Sequence, residues 1–270
     1  MLYCSVNSQQ VNQLSITDRG FSYGDGLFTT AKITAGKVEM LTQHIQRLTT
    51  GCQKLLMSLP DFSLITSELV KVAQPYQQAV IKIVITAGQG GRGYSRLGIN
   101  APNVVIMISE FPAHYKEWQA QGITLGISEQ HLGINPMLQG LKHLNRLEQV
   151  LLRRELDQRV EDDLVVCNVN NHVIETSCAN LFYFLDDKLY TPQLLDSGVV
   201  GLMRENILKK CSETIIKATS LTDLTQASAM FICNSVMGIV PVQHFNGHVL
   251  SINEVANIQS IMMNKDISFD

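Results

Sequence analysis

The amino-acid sequence predicts a mixed α/β, or α+β, protein in which strands outnumber helices. Short runs of alternating apolar residues, typical of strands, recur along the whole chain. Fewer segments carry apolar residues at helical spacing, and helices interspersed with strands pack outside a sheet. The chain has 270 residues, 45% of them hydrophobic and 17% charged. That is enough apolar material for one large core or two smaller ones.

Residues 1–111 predict a smaller N-terminal α/β domain. Alternation at Leu2, Cys4 and Val6 indicates a first strand, and residues 27–41 read as a hairpin that turns at Ala35-Gly36-Lys37. The remaining elements are a helix capped by Thr42, a helix capped by Asp61 or Ser63, strands at 79–87 and 103–111, and a glycine-rich loop at 88–94 between those strands.

A polar stretch at residues 112–121 predicts a linker, after which residues 122–270 form a larger C-terminal domain. A long amphipathic helix is expected at 141–159, with Leu144, Leu147, Leu151 and Leu152 on its buried face. The other expected elements are strands at 123–127, 164–169, 173–176, 180–185 and 188–191, a helix near 202–212, several short strands up to 250, and a final helix from Asn253.

Charge and composition exclude several classes of function. The net charge is −3 and no long basic run is present, which disfavours nucleic-acid and anionic-membrane partners. No apolar run approaches the length of a membrane span, and the first residues lack the features of a signal peptide. Six dispersed cysteines without a C-x-x-C pair predict reduced, buried thiols in a cytoplasmic protein. The histidines lack metal-ligand spacing, so no metal is expected; His244 and His248 flank a predicted hairpin turn.

Two residues stand out as candidates for chemistry. Lys142 is expected at the start of the long helix, between Leu141 and Leu144, and a partly desolvated amine there would be a nucleophile. The ordinary alternative is an exposed lysine at a helix start. Glu175 ends an apolar strand, where a buried carboxylate needs a cationic partner. A pyridinium nitrogen would serve, although an edge-strand glutamate that faces water is the simpler interpretation.

Four further segments could bind phosphate or carboxylate groups. Gly201-Leu202-Met203 opens a helix and Asn234-Ser235 follows an apolar strand, so both offer backbone N–H groups. Arg47, one helical turn after His44, could complete such a phosphate site. Arg92 is the cation of the glycine-rich loop, whose spacing is not that of a dinucleotide-binding fingerprint.

Taken in order, these segments resemble the fold-type IV pyridoxal-phosphate (PLP) enzymes. That family includes branched-chain and D-amino acid aminotransferases and aminodeoxychorismate lyases. The resemblance covers most of the chain and rests on DRGFSYGDG at 18–26, HIQRL at 44–48, KHLN at 142–145, ETSCANLF at 175–182, GLMR at 201–204 and Asn234-Ser235. The segments GGRGYS at 90–95, KHLNRLEQV at 142–150 and DGLFTTA at 25–31 resemble the lyase members in particular.

The resemblance implies two domains with the active site at their interface, PLP as cofactor and a homodimer. It implies that Lys142 links to the cofactor and that Glu175 faces its ring nitrogen. The other cofactor-binding residues would be Arg47, Asn180, Leu202, Met203, Asn234 and Ser235.

The implied reaction converts 4-amino-4-deoxychorismate to 4-aminobenzoate and pyruvate, in folate biosynthesis. Lys142 would act as base, and Thr29 or Thr30 would assist it; strand alternation lets only one of the two threonines face the site. The expected substrate-binding residues are Arg92, Tyr94, Phe28 and, as a weaker candidate, Arg146. The alternatives are a D-amino acid or branched-chain aminotransferase of the same fold and a PLP-binding protein without catalytic activity.

Overall fold

A computed structural model of the chain describes residues 1–99, 101–194 and 196–263. The described residues form two compact units. The first contains Met1–Pro112 and the short segment Lys142–Asn145, and the second contains Ala113–Leu141 and the described residues from Arg146 onward. Lys142–Asn145 therefore belongs to the first unit, although its neighbours in sequence belong to the second. The last seven residues of the predicted domain 122–270 lie outside the described residues.

The first unit is built on a five-stranded antiparallel sheet with the strand order β1-β5-β4-β2-β3. Ala35 and Gly36 join β2 to β3 with φ angles of 49° and 76°, the left-handed pair that a tight hairpin requires. The elements of this unit are β1 (Tyr3–Val6), α1 (Arg19–Tyr23), β2 (Gly26–Thr34), β3 (Lys37–Val38), α2 (Leu41–Lys54), α3 (Phe62–Ala73), β4 (Gln78–Thr86) and β5 (Asn103–Glu110).

The helices α2 and α3 share an apolar core with this sheet. Leu48 and Cys52 of α2 and Leu69 of α3 are buried with alternate residues of β2 and β4, among them Ala31 and Ile83. Asp61 caps α3 as predicted, because its side chain accepts hydrogen bonds from the backbone N–H groups of the first turn. The prediction that Thr42 caps α2 is wrong. The cap residue is Met40, in the left-handed conformation and without a side-chain hydrogen bond.

The second unit is built on a mixed sheet with the order β11-β10-β9-β12-β13-β6-β7-β8, to which β14 adds at β13. The pairs β13–β6, β6–β7 and β10–β11 are parallel. The elements are α4 (Tyr115–Gln121), β6 (Ile123–Leu132), α5 (Leu147–Leu156), β7 (Asp163–Asn168), β8 (Val173–Thr176), β9 (Asn180–Leu185), β10 (Lys188–Pro192), α6 (Leu202–Lys210), β11 (Ile215–Lys217), α7 (Leu221–Thr225), β12 (Ala229–Asn234), β13 (Gly238–Phe245), β14 (His248–Val249) and α8 (Asn253–Met263).

Strand β12 is buried on both faces. Met230 and Ile232 point into one apolar cluster, whereas Phe231 and Cys233 point into another that includes residues of α6 and α8. A strand covered on both faces carries a continuous apolar run, as β12 does from Ala229 to Cys233, instead of alternating with polar residues. None of the helices in the described part of the chain combines the length and apolarity needed to cross a membrane.

Two helical predictions for this half of the chain are wrong. Helix α4 forms within the polar stretch 112–121 predicted to be a linker, and Gln119 Nε2 donates a hydrogen bond to Met237 O. The expected long helix is reduced to Leu147–Leu156, because residues 142–145 are extended. Of the leucines predicted to be buried, Leu152 is, but Leu147 and Leu151 are exposed. Cys178, expected to be buried, is exposed as well.

Candidate functional site

Lys142 lies on an extended segment that pairs with the start of β2. The backbone N–H of Phe28 donates to Lys142 O at 2.9 Å, and the N–H of Leu144 donates to Gly26 O at 3.0 Å. Two backbone hydrogen bonds fix the chain here more firmly than the frayed first turn of a helix would. The Lys142 side chain is half-buried, with Nζ 4.9 Å from the centroid of the Phe28 ring. An ammonium at this distance from an aromatic face makes a cation–π contact.

The structure distinguishes between the two threonines of β2. Thr29 is fully buried on the face that α2 covers, and its Oγ1 lies 2.6 Å from His44 Nδ1. Thr30 is half-buried and, by strand alternation, lies on the same face of β2 as Phe28. Only Thr30 therefore shares a face with the aromatic ring that Lys142 contacts. The catalytic role is assigned to Thr30 as a prediction, and Thr29 has a structural contact instead.

His44 is a buried neutral base in the same unit. Burial, together with the nearby positive charges of Arg47 and Lys142, lowers the pKa of His44 to about 3. Its Nδ1 bonds to Thr29, whereas Nε2 is buried and has no hydrogen-bond partner among the described residues. Arg47 follows one turn later on α2 and is half-buried. A half-buried arginine is suited to bind an anionic group such as a phosphate.

Lys82 is a second cation on the face of the sheet that carries Phe28 and Thr30, and it was not among the predicted site residues. It is opposite Thr30 in the register of β2 and β4, and its Nζ lies 4.7 Å from the Phe28 ring centroid. Burial lowers the pKa of Lys82. The sequence does mark Lys82 as unusual, because it is the one charged residue in the mainly apolar run AVIKIVITA. Strand alternation places it on the same side as Val80 and Val84.

The glycine-rich loop places Arg92 and Tyr94 at the surface. Arg92 is exposed and Tyr94 is 88% exposed, with its ring 5.5 Å from that of Tyr23. The loop has left-handed glycines at Gly88, Gly90, Gly91, Gly93 and Gly98. The substrate-binding role assigned to Arg92 and Tyr94 stays a prediction.

Glu175 lies at the centre of a hydrogen-bonded group in the second unit. Its side chain is only 7% exposed. Glu175 Oε2 accepts from the backbone N–H of Val199 at 3.0 Å and from Asn180 Nδ2 at 3.4 Å, while Asn180 Nδ2 also donates to Val199 O at 2.9 Å. These contacts hold one carboxylate oxygen in place. A buried, oriented carboxylate is the group that would stabilise a protonated ring nitrogen.

Asn180 itself is held against Gly201, the N-cap of α6. A Cβ added at Gly201 would lie 2.0 Å from Asn180 Oδ1. The φ of Gly201 is −76°, so glycine is required by the close approach and not by the backbone conformation. The backbone N–H groups of Leu202 and Met203 follow in the first turn, where N–H groups have no partner within the helix. This helix start can offer them to a phosphate.

Asn234 ends β12 and shapes the turn that follows it. Its Oδ1 accepts from the backbone N–H groups of Val236 and Met237, and its Nδ2 donates to Cys178 O at 3.3 Å. The Asn234 side chain is therefore engaged by the protein. A contribution of Asn234 and Ser235 to phosphate binding would come chiefly from the geometry that this side chain gives to the turn.

Arg146 lies in the second unit, near Glu175. Its Nη2 donates to Leu141 O at 2.9 Å. Burial lowers the pKa of Arg146, and the negative charges of Glu175 and Glu148 oppose that change. A cation in the field of Glu175 stabilises that carboxylate in its charged form. The predicted contact of Arg146 with substrate stays a prediction.

The donor set fits a phosphorylated pyridine aldehyde. Taken by itself, the first unit holds a half-buried lysine and a half-buried arginine, residue types that bind an aldehyde and a phosphate. The second unit holds a buried, oriented carboxylate and a helix N-terminus, groups that suit a ring nitrogen and a phosphate. In the described ranges, no group of three or more His, Cys, Asp or Glu side chains is arranged to hold a metal ion.

Comparison with known proteins identifies relatives of this chain. The family described as Amino-transferase class IV matches residues 26–245. Aminodeoxychorismate lyase of Vibrio harveyi is 41% identical over 241 residues, which cover 88% of this chain and 89% of the lyase.

Solved structures show the same fold. The crystal structure of 4-amino-4-deoxychorismate lyase from Pseudomonas aeruginosa superposes with a TM-score of 0.91 at 34% identity, covering 97% of this chain and 98% of that one. A hypothetical aminotransferase from Mycobacterium tuberculosis, in a PLP-bound form, superposes with a TM-score of 0.84 at 16% identity, covering 97% and 99%. The predicted mixed fold and the predicted family resemblance are confirmed.

Proposed function

Because the chain belongs to the aminotransferase class IV family, we propose that it is a PLP-dependent lyase that converts 4-amino-4-deoxychorismate to 4-aminobenzoate and pyruvate. The observation that carries this proposal is the 41% identity to the Vibrio harveyi lyase over 88% of the chain. The two products together contain all the atoms of the substrate. The reaction therefore needs no second substrate, and this distinguishes it from transamination.

The proposal assigns a role to each group of cofactor-binding residues. Lys142 would attach the cofactor covalently through Nζ, and Glu175 would keep its ring nitrogen protonated. Arg47, the N-terminus of α6 at Leu202 and Met203, and the Asn234-Ser235 turn would bind its phosphate. When bound, PLP supplies an electron sink for the electrons released at the substrate carbon that bears nitrogen.

Lys142 would also act as the catalytic base. A free Lys142 Nζ would take the proton from the substrate carbon that bears nitrogen. Thr30, on the same face of β2 as Phe28, would orient Lys142 or a water molecule through its hydroxyl group. The substrate carries two carboxylates. Lys82 would provide complementary positive charge, because it contacts the same Phe28 ring as Lys142, and Arg92 would provide a second cation.

A homodimer and a cytoplasmic location are part of the same proposal. Leu147, Val150 and Leu151 form an exposed apolar stripe on α5, with Leu147 70% exposed, and a stripe of this kind is typical of a contact surface. All six cysteines are free, as expected in a reducing compartment. Light scattering coupled to size-exclusion chromatography tests the dimer, since a monomeric mass would contradict it.

The decisive experiment supplies purified protein and PLP with 4-amino-4-deoxychorismate and follows 4-aminobenzoate by fluorescence. We expect aminobenzoate and pyruvate in equal amounts without a keto acid. Lys142→Ala should lose both the visible absorbance of the bound cofactor and product formation. An unchanged visible spectrum would contradict the assignment of Lys142.

The rival function is a D-amino acid or branched-chain aminotransferase of the same family. A product that forms only when 2-oxoglutarate is added would favour that rival over the lyase. A protein that shows PLP absorbance but turns over no amine would instead be a PLP carrier.

A further inference from the structure

A buried arginine binds the tip of the glycine-rich loop between β4 and β5. Arg19, in α1, is only 3% exposed. Its Nη1 donates to Gly93 O at 3.0 Å and to Ser95 O at 3.1 Å, and its Nη2 donates to Tyr94 O at 3.0 Å. Three consecutive carbonyl groups at the tip of the loop thus bond to one guanidinium group.

Arg19 shares a carboxylate partner with a second arginine of the same unit. Its Nε donates to Asp25 Oδ2 at 2.7 Å, and Arg96 binds the same carboxylate through Nε and Nη2. These two arginines lower the pKa of Asp25, whereas its burial opposes that change. The Arg19 guanidinium carbon also lies 4.8 Å from the centroid of the Tyr23 ring. An arginine with this many partners is a rigid support.

The neighbouring residue fixes the base of the loop. Asp18 Oδ2 accepts from Thr86 Oγ1 and from Asn103 Nδ2, both at 2.7 Å, where β4 ends and β5 begins. The Arg19 N–H donates to Gly88 O at 2.9 Å. The dipeptide Asp18-Arg19 therefore fixes both the base and the tip of the connection.

The loop depends on this support because of its composition. Glycine gains more backbone freedom than any other residue when an ordered conformation is lost, and this loop has five glycines at positive φ. Arg92 and Tyr94 themselves are exposed, and the hydrogen bonds from Arg19 reach main-chain carbonyl groups of the tip, while the Tyr94 ring also contacts the Tyr23 ring.

We infer that Arg19 is a positioning residue that sets the geometry of the loop tip, so that Arg92 and Tyr94 recognise a carboxylate of the substrate. The inference rests on the proposed function for the identity of that substrate. Arg19 acts through the loop and has no direct role in chemistry. Its loss should therefore weaken substrate binding and leave the rate of the chemical step almost unchanged.

The test compares Arg19→Lys with Arg92→Ala and with the double variant. A lysine keeps the charge but cannot donate to three carbonyl groups in the plane of a guanidinium. We expect Arg19→Lys to raise KM for 4-amino-4-deoxychorismate about tenfold with kcat within twofold of wild type. When Arg92 is already alanine, Arg19→Lys should raise KM by less than twofold further, because the Arg92 side chain that the loop positions is already missing.

Hydrogen exchange gives a readout that is independent of turnover. The peptide that covers residues 88–99 should exchange at least tenfold faster in Arg19→Lys, while peptides from α2 and α3 keep the wild-type rate. Arg159→Lys is the matched control, since Arg159 is a half-buried arginine that pairs with Glu155 in the second unit. If Arg19→Lys does not fold, Tyr23→Leu takes its place in the test. This substitution removes the ring beside the Arg19 guanidinium and beside Tyr94, so it should also raise KM and speed up hydrogen exchange.

An Arg19→Lys protein with unchanged KM and unchanged exchange in residues 88–99 would overturn the inference. The same holds if Arg19→Lys raises KM equally with and without Arg92, because the effect would then not pass through the loop tip. Failure of the proposed function looks different: the wild-type protein itself would form no aminobenzoate.

Discussion

Gly201 offers a sharp test of how Glu175 is oriented. In Gly201→Ala the new Cβ would lie 2.0 Å from Asn180 Oδ1, whereas ordinary contact begins at 3.4 Å. Asn180 must therefore move by more than an ångström. This displacement breaks the 2.9 Å bond from its Nδ2 to Val199 O and the 3.4 Å bond to Glu175 Oε2.

The magnitude follows from those two bonds. Each hydrogen bond of this kind contributes about 1 kcal/mol, so the substitution should cost about 2 kcal/mol. If the whole cost appears in cofactor affinity, the apparent Kd for PLP rises about 30-fold, since about 1.4 kcal/mol corresponds to a factor of ten. The measurement is a titration of the apo-protein with PLP, followed by visible absorbance.

The matched control for this substitution is Gly133→Ala in the same unit. The Cβ added there would meet only Glu148 Oε1, the end of a flexible side chain, at 3.2 Å. Gly133→Ala should bind PLP with wild-type affinity. A Gly201→Ala protein whose Kd stays within twofold of wild type would refute the argument that Asn180 links Gly201 to Glu175.

The remaining predictions concern Glu175, the two threonines and His44. Glu175→Gln should lower kcat on the order of 10²-fold, because the neutral amide cannot stabilise a protonated ring nitrogen. Glu129→Gln, at an exposed glutamate, is the control and should leave kcat unchanged. Equal kcat in both variants would contradict the role of Glu175. Thr30→Val should lower kcat with little change in Tm. Thr29→Val should instead lower the free energy of unfolding by about 1–3 kcal/mol, because it leaves the buried His44 Nδ1 without its partner. The reverse pattern would show that the faces of β2 are assigned wrongly. Because the pKa of His44 is about 3 in the folded state and 6.5 in the unfolded chain, its contribution to stability is present above pH 6.5 and falls by up to about 1.4 kcal/mol per pH unit as the pH decreases towards 3. Urea unfolding at pH 7, 6 and 5 should show a smaller loss in His44→Gln than in the wild type, and equal losses would contradict a buried neutral histidine.

Many strands and the general placement of the candidate groups could be predicted from the sequence. Strand β8 and strand β9 have the predicted bounds, and α3 begins after the predicted cap Asp61. These elements follow local rules, such as alternation over a few residues and a side chain that caps the first turn. Local rules failed where a distant partner competed with the local preference.

Lys142 is the clearest of these failures. The helical pattern of residues 141–159 is genuine, but residues 142–145 pair with β2, more than 100 positions earlier in the chain. Two backbone hydrogen bonds to β2 offset the loss of one helical turn, whose first N–H groups would have had no partner within the helix. No property of residues 141–159 alone indicates this pairing.

The sequence by itself determined the mixed fold, the family resemblance and the residue types of the candidate site, because these depend on composition, short-range spacing and the order of motifs. Only the tertiary structure decided that Thr30 and not Thr29 shares a face with Phe28, that Lys82 lies on the same side of the sheet, and that Arg19 supports the loop of Arg92. The physical reason is that each of these facts depends on pairing and packing between segments far apart in the chain. The residue pattern within one segment does not identify the segment with which it pairs.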